Sequence, residues 1–317
     1  MKKTLSIIIP TVGKENRIVY LNRMLDSIFR QSVPFDEIII FDNSGKQNIQ
    51  CQVNEQYNNH LSIKWYSSPR QLPITESYRT AASYCSCDYM TIQGDDDELS
   101  PDFSAEVHAK MQNDPGVILA PFEYMDENGN DLPVYERFPL KAMPFKAFMH
   151  KDLNIMMGAL IFSKKNYLST AGFQNFCYKG LYMDWILFWE MAIHCETIPC
   201  IQTYVIRYRR NPEWTGRLRN LDEFEKFCAS LAKIEQYTLE FFIKSGYSKK
   251  DCSFIYDLCR SRQLFYQDLE NWGMGFSDII FACLKKHHPK MKFTWRDRIF
   301  FIRRAFQDLF RIRKEKQ

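Results

Sequence analysis

The sequence predicts an α/β fold, a mostly parallel sheet flanked by helices on both faces with a helical extension at its C-terminal end. Three observations predict it. Short runs rich in β-branched residues alternate with segments of helical apolar spacing over the first hundred residues, which is how strands joined by crossover helices read. The first run, Leu5–Pro10, is apolar but for Ser6, as a strand buried on both faces is. From Asp222 onward the spacing is helical to the end of the chain. The predicted division is therefore residues 1–215, a sheet-bearing domain, and residues 216–317, a helical region.

The chain has 317 residues, 45% of them hydrophobic, enough to bury a sizeable core. Ten cysteines are scattered, with Cys85 and Cys87 the close pair, and neither a CxxC…CxxC pattern nor Cys/His zinc spacing occurs. These read as reduced thiols filling a core, which predicts a cytoplasmic protein. No signal-peptide pattern stands at the start, and no apolar run approaches the ~20 residues of a spanning helix. The net charge of +4 hides a split: residues 281–317 hold twelve Lys and Arg against Asp297, Asp308 and Glu315, so the rest of the chain is net acidic.

Taken in order, Leu5–Pro10 is a strand stopped by proline, Thr11–Lys14 a loop, and Arg17–Gln31 a helix with apolar Val19, Leu21, Leu25, Ile28 and Phe29 on one side. Asp36–Asp42 repeats the strand signal and ends at the turn Asn43-Ser44-Gly45. A polar, helix-like segment follows to His60, then a half-buried strand at Leu61–Tyr66, a helix at Thr75–Ser86 and a strand at Asp88–Ile92. Phe103–Gln112 reads as a helix, Val117–Phe122 as a strand, Glu127–Asn130 as a hairpin-type turn. Ile155–Phe162 reads as an apolar strand in which Gly158 marks a close backbone approach to a ligand or a neighbour. A helix rich in aromatics covers Lys179–Glu190, and Thr197–Arg207 is the last strand.

Function concentrates in Gln93–Asp102, where Asp95, Asp96 and Asp97 stand side by side at the end of a strand. Adjacent carboxylates raise one another's pKa values, and a hard cation, Mg²⁺ or Mn²⁺, bridging to substrate phosphates relieves the repulsion. A solvated acidic turn is the competing reading. The carboxyl end of a strand in an open α/β sheet is where ligands collect. The turn after the first strand, PTVGKEN, lacks GxGxxG and a Walker A sequence, which removes the dinucleotide-binding and P-loop readings. Asp42, at the end of its strand, can bind a base or ribose or can simply initiate its turn.

The ordered set SIIIPT, EIIIFDNSG, an arginine-bearing helix (Glu76–Arg79) and DYMTIQGDDDELSPD resembles the N-terminal half of a family 2 glycosyltransferase with the GT-A fold. The resemblance covers residues 5–102. It implies that Asp95 lies on the ribose side of a nucleotide-sugar donor, that Asp96 holds the metal with Asp97 in support, and that Thr11 and Asp42 contact the nucleotide. Gly94 stands where the family often has another Asp. Arg79, or Arg70 in its place, would lie near the diphosphate, although an arginine there is ordinarily solvated.

Asp184 is an acid at the first turn of an apolar helix. It either complements the helix dipole or serves as a general base whose pKa Tyr182, Trp185 and Trp189 raise. The resemblance favours the base, with Met183 where the family often has Glu. Tyr208–Gly216 falls where relatives often carry YRxH on a loop over the diphosphate; this chain has Arg209, Arg210 and Asn211 instead. Those guanidinium groups can grip phosphate or lie in solvent. Trp295–Arg313 interleaves six arginines with apolar residues, a basic amphipathic helix. It suits the surface of an anionic inner membrane, or packs on the body; no nucleic-acid recognition motif accompanies it.

Together these readings imply an inverting, metal-dependent transfer of a sugar, most simply from a UDP-sugar, to a glycan hydroxyl. The resemblance points to a lipid-linked acceptor in bacterial surface-polysaccharide synthesis, O-antigen or capsule. The rivals are a sugar-nucleotide nucleotidyltransferase, for which the first loop is a poor fit, and a non-catalytic binding protein, which has no need of Asp184.

Overall fold

A computed structural model describes residues 2–13, 15–45, 48–132, 141–149, 155–210, 221–252 and 255. The chain forms two compact units, Met1–Asn175 with Lys179–Trp214, and Phe176–Tyr178 with Thr215–Gln317.

The first unit opens with β1 (Leu5–Thr11), α1 (Glu15–Phe29) and β2 (Glu37–Asp42). A 3₁₀ turn and the one-turn α2 (Glu55–Asn58) then occupy the predicted polar helix, before β3 (Ile63–Ser67), α3 (Ile74–Ser83) and β4 (Tyr89–Ile92). Next come β5 (Glu98–Leu99), α4 (Phe103–Met111), β6 (Val117–Leu119), β7 (Phe122–Met125), β8 (Met143–Pro144) and α5 (Phe145–Phe148). The unit ends with β9 (Leu160–Ser163), α6 (Lys164–Leu168), α7 (Met183–Ala192), β10 (Thr197–Ile198) and β11 (Ile206–Arg209).

As the alternation predicts, the main sheet is mostly parallel. Its order is β3-β2-β1-β4-β9-β6, with β1, β2, β3 and β4 parallel and β9 antiparallel to both its neighbours. Every residue of β2 is buried, and Leu5, Ile7, Ile8 and Ile9 of β1 are fully so, which is why Ile7–Ile9 and Ile38–Phe41 are apolar without alternation.

Two predicted strands split. Val117–Phe122 breaks at Pro121, which has no N–H to donate; its carbonyl instead accepts from the Val205 N–H at 3.2 Å. β6 therefore stays in the main sheet, while β7 joins β11 and β5 in a second one. Thr197–Arg207 likewise divides between β10, paired with β8, and β11. The strand expected at Ile155 starts only at Leu160, because Met157–Ala159 forms a 3₁₀ turn. Gly158 makes that turn possible: a Cβ there would lie 2.5 Å from Gln93 Oε1, and Gln93 Nε2 donates to the Gly158 carbonyl at 2.8 Å.

In the second unit, α8 (Leu221–Lys244) is the described helix. The Ser230 hydroxyl donates to the Phe176 carbonyl at 2.6 Å and accepts from the Tyr178 N–H at 2.9 Å. The helices expected over 251–272 and Trp295–Arg313 lie, but for residues 251, 252 and 255, outside the described residues. No helix among the described residues is long and apolar enough to cross a membrane.

Candidate active site

β1 and β4 are neighbours at the point where the sheet order reverses direction, the place where open α/β sheets bind ligands at their carboxyl ends. Thr11 ends β1, and the acidic run begins three residues after β4. The Thr11 hydroxyl donates to Asp95 Oδ2 at 2.5 Å, tying the two strand ends together. The other oxygen of Asp95 is paired with the guanidinium of Arg17, from the first turn of α1, and Arg17 Nη2 also lies 3.3 Å from Asp96 Oδ2. Asp97 Oδ1 accepts from the Arg209 backbone N–H at 3.0 Å. Gly94 permits this packing: a Cβ there would lie 2.7 Å from Asp97 Oδ2 and 3.0 Å from Asp96 Oδ1.

The run is therefore not a solvated turn. Asp95 and Asp97 are each 3% exposed, and the Asp96 side chain, at 14%, reaches furthest into solvent. Burial first, and then Asp95, pushes the Asp96 carboxyl up to about 6, against the pull of Arg17 and Arg209. Burial and then Asp96 hold Asp97 well above the usual carboxylate range. Tyr78, on α3, and Tyr208, on β11, face the same charges, and their hydroxyls are raised by burial first and by these aspartates next.

Arg209 is wholly buried and bound to protein on every side. Its Nε donates to the Asp96 carbonyl at 2.8 Å, Nη1 to the carbonyls of Asp126 and Glu127 at 3.0 and 2.9 Å, and Nη2 to Glu98 Oε1 at 2.6 Å. The group also stacks 4.5 Å from the Tyr20 ring centre. Four of its five N–H groups hold the acidic loop in place, and burial of the whole side chain keeps it from a phosphate. Arg210 is exposed and lies 4.4 Å over the Tyr124 ring.

The remaining candidates are placed by their turns and helices. Asp42 is buried, and its two oxygens accept from the N–H groups of Ser44 at 2.8 Å and Ile49 at 3.1 Å, the turn-forming arrangement. Arg79 donates to the Phe173 carbonyl and reaches Asn175 Oδ1 at 3.3 Å. It does not join the acidic cluster, because one step along a helix turns the side chain through roughly 100°, so Tyr78 faces the cluster instead. Arg70 is exposed.

Asp184 is the second residue of α7. It is half-buried, and burial pushes its carboxyl up to about 7 although the Trp185 N–H donates to Oδ1 at 2.9 Å. Trp185 follows it in the helix, its ring centre 5.9 Å from that of Trp189. The turn that presents Asp184 is strained: Lys179, Gly180 and Tyr182 have φ of 52°, 76° and 64°, in the left-handed region. Gly180 packs so closely on Ile74 that a Cβ would lie 2.7 Å from its Cγ2. Ile74 and Tyr78 are one turn apart on the same face of α3. One helix therefore borders both the turn before Asp184 and the acidic cluster.

The family described as Glycosyl transferase family 2 matches residues 6–167, more than half of the 317-residue chain. The chain belongs to that family. It is a glycosyltransferase, and its structural neighbours share the GT-A fold. Among solved structures it is similar to S. aureus TarS 1–349 in complex with UDP-GlcNAc, with 13% identity, a TM-score of 0.67 and coverage of 91% of this chain and 82% of that one. TarS 1–349 in complex with UDP gives 15% identity, a TM-score of 0.61 and coverage of 86% and 74%. The S. aureus TarS crystal structure gives 15% and 0.61, with 86% of this chain matching 45% of that one. Among curated proteins none matches this sequence.

The transferase's acidic cluster fits a divalent cation of the hard kind. Mg²⁺ and Mn²⁺ take one or two carboxylates and complete their shell with water and substrate phosphate. Asp96, the most accessible of the three, and Asp97 beside it are the carboxylates that would hold such a cation. Among the described residues no group of three or more acids, histidines or cysteines is placed to hold a metal by itself. Sequence reasoning missed Arg17, Tyr78 and Tyr208. Each reads as an ordinary member of an amphipathic element, and only the fold brings it to the acids.

Proposed function

We propose that this glycosyltransferase moves the sugar of a nucleotide donor, a UDP-sugar, to a glycan hydroxyl with inversion and with the help of Mn²⁺ or Mg²⁺. The observation that carries the proposal is that α3 borders two separate acid centres. One is a carboxylate cluster at the strand-order reversal. The other is a single acid that burial holds near neutrality. A donor diphosphate suits the first and a proton acceptor suits the second.

Asp96, supported by Asp97, holds the cation, which when bound neutralises charge on the departing diphosphate. Asp95 and Thr11 form the ribose side, and Asp42 shapes the loop beneath the base. Arg209 positions the acidic loop, Arg79 braces the Phe173–Asn175 segment, and the exposed Arg210 is available to a diphosphate. Asp184 takes the acceptor hydroxyl's proton as that oxygen attacks the anomeric carbon from the face opposite the diphosphate, a single displacement that inverts the centre. That the TarS structures hold UDP and UDP-GlcNAc supports the donor class.

The acceptor we assign to a lipid-linked precursor of a bacterial surface polysaccharide, O-antigen or capsule, met at the cytoplasmic face of the inner membrane. The basic segment Trp295–Arg313 supports this. The full chain should then bind anionic vesicles and be released by salt; equal binding to neutral vesicles would remove that assignment.

The catalytic proposal is tested by measuring UDP released from UDP-GlcNAc with Mn²⁺. Asp96→Ala should abolish release and Mn²⁺-dependent UDP binding together. Asp184→Asn should cut release by roughly 10²–10⁴-fold while UDP still binds. Release that survives both substitutions contradicts the proposal.

A further inference from the structure

The acidic cluster already contains a cation of its own. Arg17 spans Asp95 and Asp96, and it does so at the mouth of the cluster, where its side chain is 13% exposed and that of Asp96 14%. The second arginine of the cluster is held quite differently. Arg209 is fully buried, with its three nitrogens tied to three carbonyls and Glu98, and cannot leave without stranding them. Among the described residues Arg17 is hydrogen-bonded or paired with carboxylates alone, Asp95 and Asp96, and a guanidinium carries five N–H groups. It is therefore the less tightly tied of the two.

A divalent cation and Arg17 compete for the same acid. Arg17 Nη2 is 3.3 Å from Asp96 Oδ2, and two positive groups sharing one carboxylate repel each other. A diphosphate reverses the balance, because it offers the guanidinium fork a bidentate anion and brings its own cation to the carboxylates.

We propose that Arg17 is an exchange residue: it neutralises Asp95 and Asp96, opposes uptake of a free divalent cation, and passes to the diphosphate when the donor arrives. Metal and nucleotide then bind together, and the metal alone binds poorly. The inference rests on the donor-site reading above and adds an order of binding to it.

The test uses the full chain and follows Mn²⁺ binding by electron paramagnetic resonance, with and without UDP. Wild type should bind Mn²⁺ weakly alone and about tenfold or more tightly with UDP, within the range of ordinary coupling between sites. Arg17→Met should bind Mn²⁺ alone about tenfold more tightly than wild type and gain less from UDP. Arg17→Lys keeps a charge but loses the fork, and should fall between them. It also supplies the comparison if Arg17→Met loses its cooperative melting. Mn²⁺ affinity without UDP that is unchanged in the folded variants overturns the exchange while leaving the donor site standing. A wild type that takes up no Mn²⁺ even with UDP overturns the donor-site reading and the exchange with it.

Discussion

An acid that burial holds near pH 7 weakens the fold as it ionises, and Asp184 is such an acid. Its carboxyl sits at about 7 in the folded chain against 3.8 for a free side chain. Between those values the folded state keeps a proton that the unfolded state releases, so raising the pH favours unfolding, and the stabilisation is gone above pH 7. Asp184→Asn should consequently melt at a higher temperature than wild type at pH 8, with the gap closing as the pH falls toward 5. Transfer should behave oppositely, rising with pH through about 7 in wild type and falling by roughly 10²–10⁴-fold in the variant, the usual worth of a general base. A rate flat from pH 5 to 8 would deny Asp184 the role. At this scale the sequence displays the acids well, because three like charges at a strand end and a carboxylate in an apolar helix have no folding purpose. Arg17 was not legible: an arginine in the first turn of an amphipathic helix looks like any solvated residue, and its partner lies 78 positions away. Arg209 could be read as phosphate ligand or solvent-facing charge, but not as a buried strut, because its acceptors are mostly backbone carbonyls that sequence does not advertise.

Among elements, the strands that carry the site were the most legible and the loops between them the least. β1, β2 and β4 show as apolar runs because they are buried on both faces, whereas the split of β6 from β7 depends on where the chain goes after Pro121. The loop after β2 shows what such a junction demands. Asn43 exchanges two hydrogen bonds with Leu72, its Nδ2 donating to the carbonyl at 3.0 Å and its Oδ1 accepting from the N–H at 2.8 Å. Gly45 makes that approach possible, with φ of 82° and a would-be Cβ only 2.6 Å from the Gln71 backbone nitrogen. Gly45→Ala therefore meets both a left-handed backbone and a backbone clash, and should destabilise the protein by about 2 kcal/mol or more in urea unfolding. A change within ~0.5 kcal/mol, the range of ordinary surface substitutions, would mean that the junction relaxes freely.

For the molecule as a whole, the alternation of strands and helices was enough to predict a mostly parallel sheet, since few topologies satisfy right-handed crossovers. What no periodicity reveals is that α3 brings the turn before Asp184 and the acidic cluster to one face, a consequence of Gly180 packing on Ile74. Under the proposed mechanism that juxtaposition makes two ionisable features one reaction centre. The measurement that tests it most directly is a crystal structure with UDP and Mn²⁺, in which anomalous scattering locates the metal. The account predicts one Mn²⁺ at about 2.0–2.2 Å from an Asp96 oxygen and bridging the diphosphate, close to octahedral Mg²⁺ distances, with the Asp184 carboxylate facing the open side of the same cleft. A metal bound elsewhere, or a diphosphate on a face that Asp184 does not share, would contradict it.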